Sequence, residues 1–151
     1  MTDKTGISIS AAGPDRAGDI AALALKLWPG HDTEELRKDF KSLLSGQDAA
    51  VFLCEAAGAP VGFAQCQLRH DYVEGTSSSP VGYLEGIFVD GSFRGRGIAR
   101  ALLKACEDWA RGKGCSEFAS DCELDNLMSQ SFHEAAGFAE AGRIVAYVKP
   151  L

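Results

Sequence analysis

The residue pattern with the most specific chemistry is Arg94-Gly95-Arg96-Gly97-Ile98-Ala99, set between a long apolar stretch, Val81 to Val89, and an amphipathic one. Glycines let a backbone turn tightly with its N–H groups pointing inward, and the positive end of a following helix adds to the pull on an anion. Such a turn is a phosphate cradle. Arg94, Arg96 and Arg100 fall within seven residues and give an otherwise acidic chain a local positive patch. Neither common nucleotide class fits. A Mg-nucleotide loop needs Gly-Lys followed by Ser or Thr, and the one Gly-Lys here, Gly112-Lys113, is followed by Gly114. A dinucleotide fingerprint needs Gly or Ala three residues after Gly97, where Arg100 stands. The bland alternative is a glycine-rich strand-to-helix turn that binds nothing.

A cradle of this kind needs a strand before it and a helix after it, and the hydrophobic periodicity supplies both. Val81 to Val89 reads as a long strand interrupted only by Glu85; Ile98, Leu102, Ala105 and Trp109 recur at helical spacing, and Gly112-Lys113-Gly114 closes the helix. Upstream, Ile7 to Ser10 reads as a short strand, and Pro14-Asp15 opens a helix with Ile20, Leu23, Ala24 and Leu27 on one face, ended by Trp28-Pro29-Gly30. Thr33 begins a second helix with the stripe Leu36, Phe40, Leu43, Leu44 and a stop at Gly46. Residues 49–57 and 59–70 read as a hairpin turning at Ala57-Gly58-Ala59-Pro60. Downstream, the pattern predicts a strand over Glu117 to Cys122, a helix over Asn126 to Ala136 with Met128, Phe132 and Ala135 inward, and a last strand over Arg143 to Val148. A hairpin followed by β-loop-α-β-α-β predicts a mixed α/β (α+β) fold, a central mixed sheet with helices on both faces.

The chain has 151 residues, 46% hydrophobic and 24% charged, which fits one globular domain over 1–151. A chain of this length hides roughly 68–70% of its unfolded surface on folding, enough for a real core. The net charge of -6 argues against affinity for nucleic acid or for anionic membrane surfaces and favours a cationic partner. No apolar run reaches the 18 or so residues of a membrane span, and Met1-Thr2-Asp3-Lys4-Thr5-Gly6 lacks the basic and apolar regions of a signal peptide, so the expected location is the cytoplasm. Cys54, Cys66, Cys106, Cys115 and Cys122 are odd in number, form no Cys-x-x-Cys pair and have no His at metal spacing. They read as reduced, mostly buried small hydrophobes, and no metal site is expected.

Arg-x-x-Gly-x-Ala at Arg94, Gly97 and Ala99, after a long strand, resembles the acetyl-CoA pyrophosphate loop of the GNAT superfamily of acyl-CoA N-acyltransferases. Asn126, Phe132-His133 and Gly137-Phe138 are similar to that superfamily's second cofactor segment. The resemblance covers nearly the whole chain and implies a mixed, mostly antiparallel central sheet with helices on both faces. Leu27-Trp28-Pro29-Gly30-His31, Arg69 to Gly75, Ser79-Pro80-Val81, Leu84 to Val89 and Phe118-Ala119-Ser120-Asp121 narrow it to the aminoglycoside 6'-N-acetyltransferases. That resemblance implies an aminoglycoside site lined by Trp28, His31, Tyr72, Glu85 and Asp121. It implies acetyl-CoA contacts from Ile87, Phe88, Val89, Gly95, Arg96, Gly97, Ile98, Ala99, Arg100 and Asn126, with Arg94 in the same loop, and a homodimer. Two departures stand out. His133 occupies a position where many members carry a Tyr that protonates the leaving thiolate; a thiol of pKa near 8.5 leaves with little acid help. Gly142 occupies a position where members often carry an acidic residue contacting the antibiotic, and Glu140, two residues earlier, is the substitute the chain offers.

An amine that attacks a thioester must first be neutral, so a carboxylate placed to accept its proton, directly or through a water, is the chemical requirement. Asp121, at the C-terminal end of its predicted strand, is the expected base; its alternative role is to hold the ammonium by charge alone. Glu85 interrupts an apolar strand, where a charge is costly unless satisfied. It either faces the amine with Asp121 or pairs with an internal cation. Trp28 and Tyr72 offer rigid apolar walls for a sugar, and His31 a hydrogen bond to a hydroxyl. His133 is expected on the polar side of its helix in a structural role. Backbone N–H groups around Ile87 to Val89 are expected to polarise the thioester carbonyl. The expected activity is acetyl transfer from acetyl-CoA to the 6'-amine of an aminoglycoside, with no metal. The alternatives are acetylation of another small polyamine or a peptide amine, and a CoA-binding sensor without turnover.

Overall fold

The computed structural model describes residues 6–151. Five strands, β1 (Ile7–Ala11), β2 (Ala49–Ala56), β3 (Ala59–Arg69), β4 (Val81–Val89) and β5 (Phe118–Ser120), lie side by side in chain order. The first three pairs are antiparallel and β4 runs parallel to β5. The helices are α1 (Ala17–Leu27), α2 (Thr33–Leu44), α3 (Ile98–Gly112) and α4 (Leu127–Ala135).

The two-residue alternation of the strands gives the sheet two apolar faces. Val51 and Leu53 of β2 and Phe63 of β3 turn to one side, where Ile20, Leu23 and Ala24 of α1 and Leu36 and Phe40 of α2 complete a core. Cys54, Ala64, Cys66 and Leu84 turn to the other, onto Ile98, Leu102, Leu103 and Cys106 of α3. Each large side chain fully buried this way contributes about 1.5–3 kcal/mol. Helices therefore cover both faces of a mixed sheet, as the pattern predicts. Asp32 caps α2 by accepting from the Glu35 N–H at 3.0 Å, and Asn126 caps α4 by accepting from the Ser129 N–H at 3.1 Å.

One irregularity positions the site. The β3–β4 register pairs Cys66 with Leu84 and Gln65 with Gly86, which leaves Glu85 as an extra residue in β4. Side-chain directions agree: Leu84 packs toward α3, as do Ile87 and Val89 after the bulge, while Gly86 and Phe88 turn toward α1. On the opposite edge, β5 pairs with β4 only over Gly82 to Leu84. From Glu85 to Val89 the β5-facing edge of β4 is open.

Three expectations are corrected. Arg143 to Val148 forms no strand: its β-branched and aromatic residues favour one, but a strand exists only against a partner, and Ile144, Val145, Tyr147 and Val148 are all exposed. α4 is turned about one residue from the predicted face, so Met128 and Ala135 are exposed while Phe132, His133 and Ala136 are half-buried. On α3 Ile98 and Leu102 are buried as predicted, together with Leu103, Cys106 and Ala110, while Ala105 and Trp109 are only half-buried. All five cysteines are free thiols, four of them buried.

Candidate active site

The strand-to-helix loop has the geometry of an anion cradle. Gly95 and Gly97 take φ of 77° and 79°, the left-handed region open to glycine, and a Cβ built at either would meet nothing within 4 Å. Open space therefore faces the loop. Gly97 is the N-cap of α3, and among the described residues no side chain caps the helix, so its first N–H groups remain available to a ligand. Ile98 is buried and anchors the helix start, while Ala99 is half-buried. Arg94 donates from Nε to the Val89 carbonyl at 2.9 Å, tying the loop to the end of β4, and its guanidinium lies 6.0 Å from the Phe88 ring centroid. Arg96 lies 5.0 Å over the Phe93 ring. Arg100 donates to the Ala135 carbonyl and joins the start of α3 to the end of α4. Ile87, Phe88 and Val89 run along the open edge of β4 directly before this loop. Asn126 stands apart as the cap of α4.

A polar strip crosses the sheet beside that edge. Glu85, projected by the bulge, is held by Arg69 at the end of β3, with Nε and Nη2 donating to Oε1 at 3.0 and 2.8 Å. The Arg69 guanidinium also lies 3.5 Å over the centroid of the Tyr83 ring. Tyr83 in turn donates its phenol O–H to Oδ2 of Asp121, the first residue beyond β5. Burial, with the Asp121 carboxylate beside it, pushes the Tyr83 phenol well above the ordinary tyrosine range, so it stays a neutral donor. The structure thus brings Glu85 and Asp121 into one strip, and gives Glu85 an internal cation.

Arg69 and Tyr83 were not singled out from sequence. The available signal was parity: Val81, Tyr83 and Glu85 alternate onto one face of the strand whose Glu85 already stood out as a charge.

Trp28, at the end of α1, is half-buried over Gly86 and meets Phe63 edge-on at 6.2 Å, so it belongs both to the core and to the rim of the strip. His31 and Tyr72 are exposed on loops. Glu140 is exposed and ion-paired to Arg143 at 2.5 Å. The segment carrying Glu140 rests on the loop carrying Tyr72: a Cβ on Gly75 would lie 2.5 Å from that of Ala141, and one on Gly142 would lie 3.6 Å from a carboxylate oxygen of Glu74. Glu74 therefore supplies negative charge beside Gly142. His133, expected on a polar helix face, instead packs between Phe132 and Phe138, with ring centroids 5.8 and 5.1 Å away. Its Nδ1 lies 2.7 Å from the Ser129 carbonyl and its Nε2 2.8 Å from Ser120 Oγ, which makes the Nδ1–H tautomer the one that satisfies both.

An uncapped helix start fed by a glycine loop, next to an open strand edge and a carboxylate strip, suits a protein that holds a phosphate-bearing molecule beside a cationic one. Residues 18–138 match the Acetyltransferase (GNAT) family, and the chain belongs to that family. Within it, the chain is 44% identical over 145 residues to the aminoglycoside N(6')-acetyltransferase type 1 of Stenotrophomonas maltophilia, covering 95% of this chain and 94% of the relative. It is 46% identical over 127 residues to the enzyme of the same name from Salmonella typhimurium, covering 84% and 88%. The solved structure of the aminoglycoside N-acetyltransferase AAC(6')-Iy in complex with CoA superposes with a TM-score of 0.94 at 39% identity, covering 100% of this chain and 99% of that one. The same enzyme with the bisubstrate analogue CoA-S-monomethyl-acetylneamine gives 0.91 at 41% identity, covering 96% and 99%.

Proposed function

We propose that this chain is an acetyl-CoA-dependent N-acetyltransferase that acetylates the 6'-amine of aminoglycosides by direct attack of the amine on the thioester. The observation that carries the reading is the placement of the Asp121 carboxylate, bonded among the described residues only by a neutral phenol, beside the open edge of β4 that leads into the glycine loop.

The phosphates of acetyl-CoA bind at Gly95 to Arg100 and the N-terminus of α3, where backbone N–H groups and the helix dipole favour anions. Unpaired N–H groups of β4 around Ile87 to Val89 polarise the thioester carbonyl. The aminoglycoside ammonium meets Asp121, with Glu85 close by and Trp28, His31, Tyr72 and Glu140 around the sugar. Asp121 takes one proton, the freed amine attacks the carbonyl carbon, the C–S bond breaks and an amide forms. CoA leaves as a thiolate and takes up a proton, a step with modest demand for an acid because the thiol's ordinary pKa is near 8.5. Acidic Glu74 and Glu140 beside Gly142 suit a polycation.

The test measures thiol release from acetyl-CoA with aminoglycosides that differ only in bearing a 6'-amine or a 6'-hydroxyl. Turnover confined to the amine supports the assignment; equal rates on both overturn its regiochemistry, and rapid turnover of simple polyamines or peptide amines with none on aminoglycosides moves the activity to that alternative.

The reading extends to a single domain over 1–151, a cytoplasmic location and a homodimer. Among the described residues no helix is long and apolar enough to cross a membrane. The homodimer is supported by the exposed apolar segment Ile144 to Val148, which has strand-forming residues and is paired to no strand among the described residues. Sedimentation of the full chain against a chain ending at Gly142 tests it: a dimer that becomes a monomer supports the assembly, and a monomeric full chain removes it.

A further inference from the structure

Tyr83 does work that the assignments above leave out. It is 6% exposed, packed with Val73, Val81 and Ala119, and it spends its one O–H on the carboxylate that meets the amine. We propose that Tyr83 is a positioning residue of the transfer site, fixing the orientation of Asp121. This rests on Asp121 being the group that receives the amine proton.

The geometry carries the assignment in three steps. First, the phenol contacts Oδ2 only, and Oδ1 of Asp121 accepts no hydrogen bond among the described residues, so one oxygen is tethered and the other is left for the ligand. Second, the ring is clamped. Arg69 covers one side of it at 3.5 Å, Arg69 is itself fixed on Glu85, and the apolar cluster holds the rest, so the hydroxyl has a single place to point. Third, Tyr83 stays a neutral donor, because burial and the Asp121 carboxylate push its phenol up. The charged groups facing this pair are Arg69 from β3 and Glu85 from β4. Leu27 of α1 and Trp28 just beyond it lie against Gly86 of β4, and His133 of α4 engages Ser120.

A core tyrosine with a satisfied hydroxyl would look similar in a static structure, and a double-mutant cycle separates the two. Tyr83→Phe keeps the ring under Arg69 and removes only the donor. On the parent background it is expected to lower kcat about tenfold with the KM for acetyl-CoA unchanged, because the carboxylate loses the tether that aims it. On an Asp121→Asn background the same substitution is expected to cost less than about twofold. An equal loss on both backgrounds overturns the proposal. An Asp121→Asn enzyme as fast as the parent instead brings down the assignment of Asp121 as base. Should Tyr83→Phe not fold, a ring-fluorinated tyrosine at 83 keeps the shape and strengthens the donor. Its effect on kcat must then vanish on the Asp121→Asn background, and an equal effect on both backgrounds overturns the proposal.

Discussion

Arg69 closes on Glu85 from across the β3–β4 ladder, with Nε and Nη2 on Oε1 and Nη2 again on Oε2 at 3.0 Å. The pair is a consequence of the bulge: without an extra residue in β4, Glu85 and Gly86 would lie on opposite faces, and either the carboxylate or the room for Trp28 would be lost. With Glu85 matched to Arg69, Asp121 is the strip's unmatched charge among the described residues. An incoming ammonium therefore finds one available carboxylate and one already engaged.

Arg69→Met should lower stability by about 1–2 kcal/mol, since it strands a carboxylate that is only 19% exposed, while Arg69's own exposure of 39% moderates the loss. Urea unfolding measures it. Adding Glu85→Gln should restore part of the deficit by removing the stranded charge. If the double variant is as unstable as the sum of the two single ones, the pair is not the cause.

Gly86→Ala tests how tightly Trp28 is seated. The new Cβ would lie 2.6 Å from both Cζ2 and Cη2 of Trp28, a rigid ring already edge-on to Phe63. Overpacking of this kind costs about 1–3 kcal/mol, read as a fall in the midpoint of chemical unfolding. A rise in the aminoglycoside KM should accompany it, because the displaced ring borders the site. An unchanged midpoint would mean that the indole moves aside freely.

What the sequence made legible follows from range. α1, α2, α3 and the β2–β3 hairpin rest on local periodicity and stop signals, and their ranges agree with the structure to within a few residues. The glycine loop is local too. Tyr83 meets Asp121 across 38 residues and Arg69 meets Glu85 across 16, and no spacing rule encodes either contact. The charge at Glu85 announced that something must satisfy it, but the identity of the partner depends on the sheet register. Arg143 to Val148 failed in the opposite sense: its composition is right for a strand, and pairing, which composition does not contain, is absent among the described residues.

Glu117 gives a pH dependence with a definite sign. Its carboxylate accepts from the Ser78 hydroxyl and from the Ser77 N–H at 2.9 Å, pinning the loop before β4 to the start of β5, and these bonds hold it below the usual glutamate range. A depressed folded-state pKa means stability that is present above the unfolded-state pKa and lost as pH falls through the folded one. Glu117→Gln should therefore lower the melting temperature at neutral pH, with the gap to the parent closing as pH drops through the acidic carboxylate range. A gap that stays constant with pH would assign the effect to shape rather than to charge.

Gly97→Ala separates the cradle from the fold. The residue sits at φ 79°, where an L side chain costs roughly 1–2 kcal/mol, yet nothing lies within 4 Å of the added methyl, so the penalty is conformational rather than a clash. Relief of that strain turns the peptide that begins α3, and with it the N–H groups proposed to meet the CoA phosphates. CoA affinity measured by titration calorimetry should fall about tenfold, a loss of about 1.4 kcal/mol. Gly91→Ala, in the same loop region with an ordinary φ and open space around it, should leave both stability and CoA affinity near the parent values. If the two variants bind CoA alike, the left-handed turn at Gly97 is not what aims the cradle.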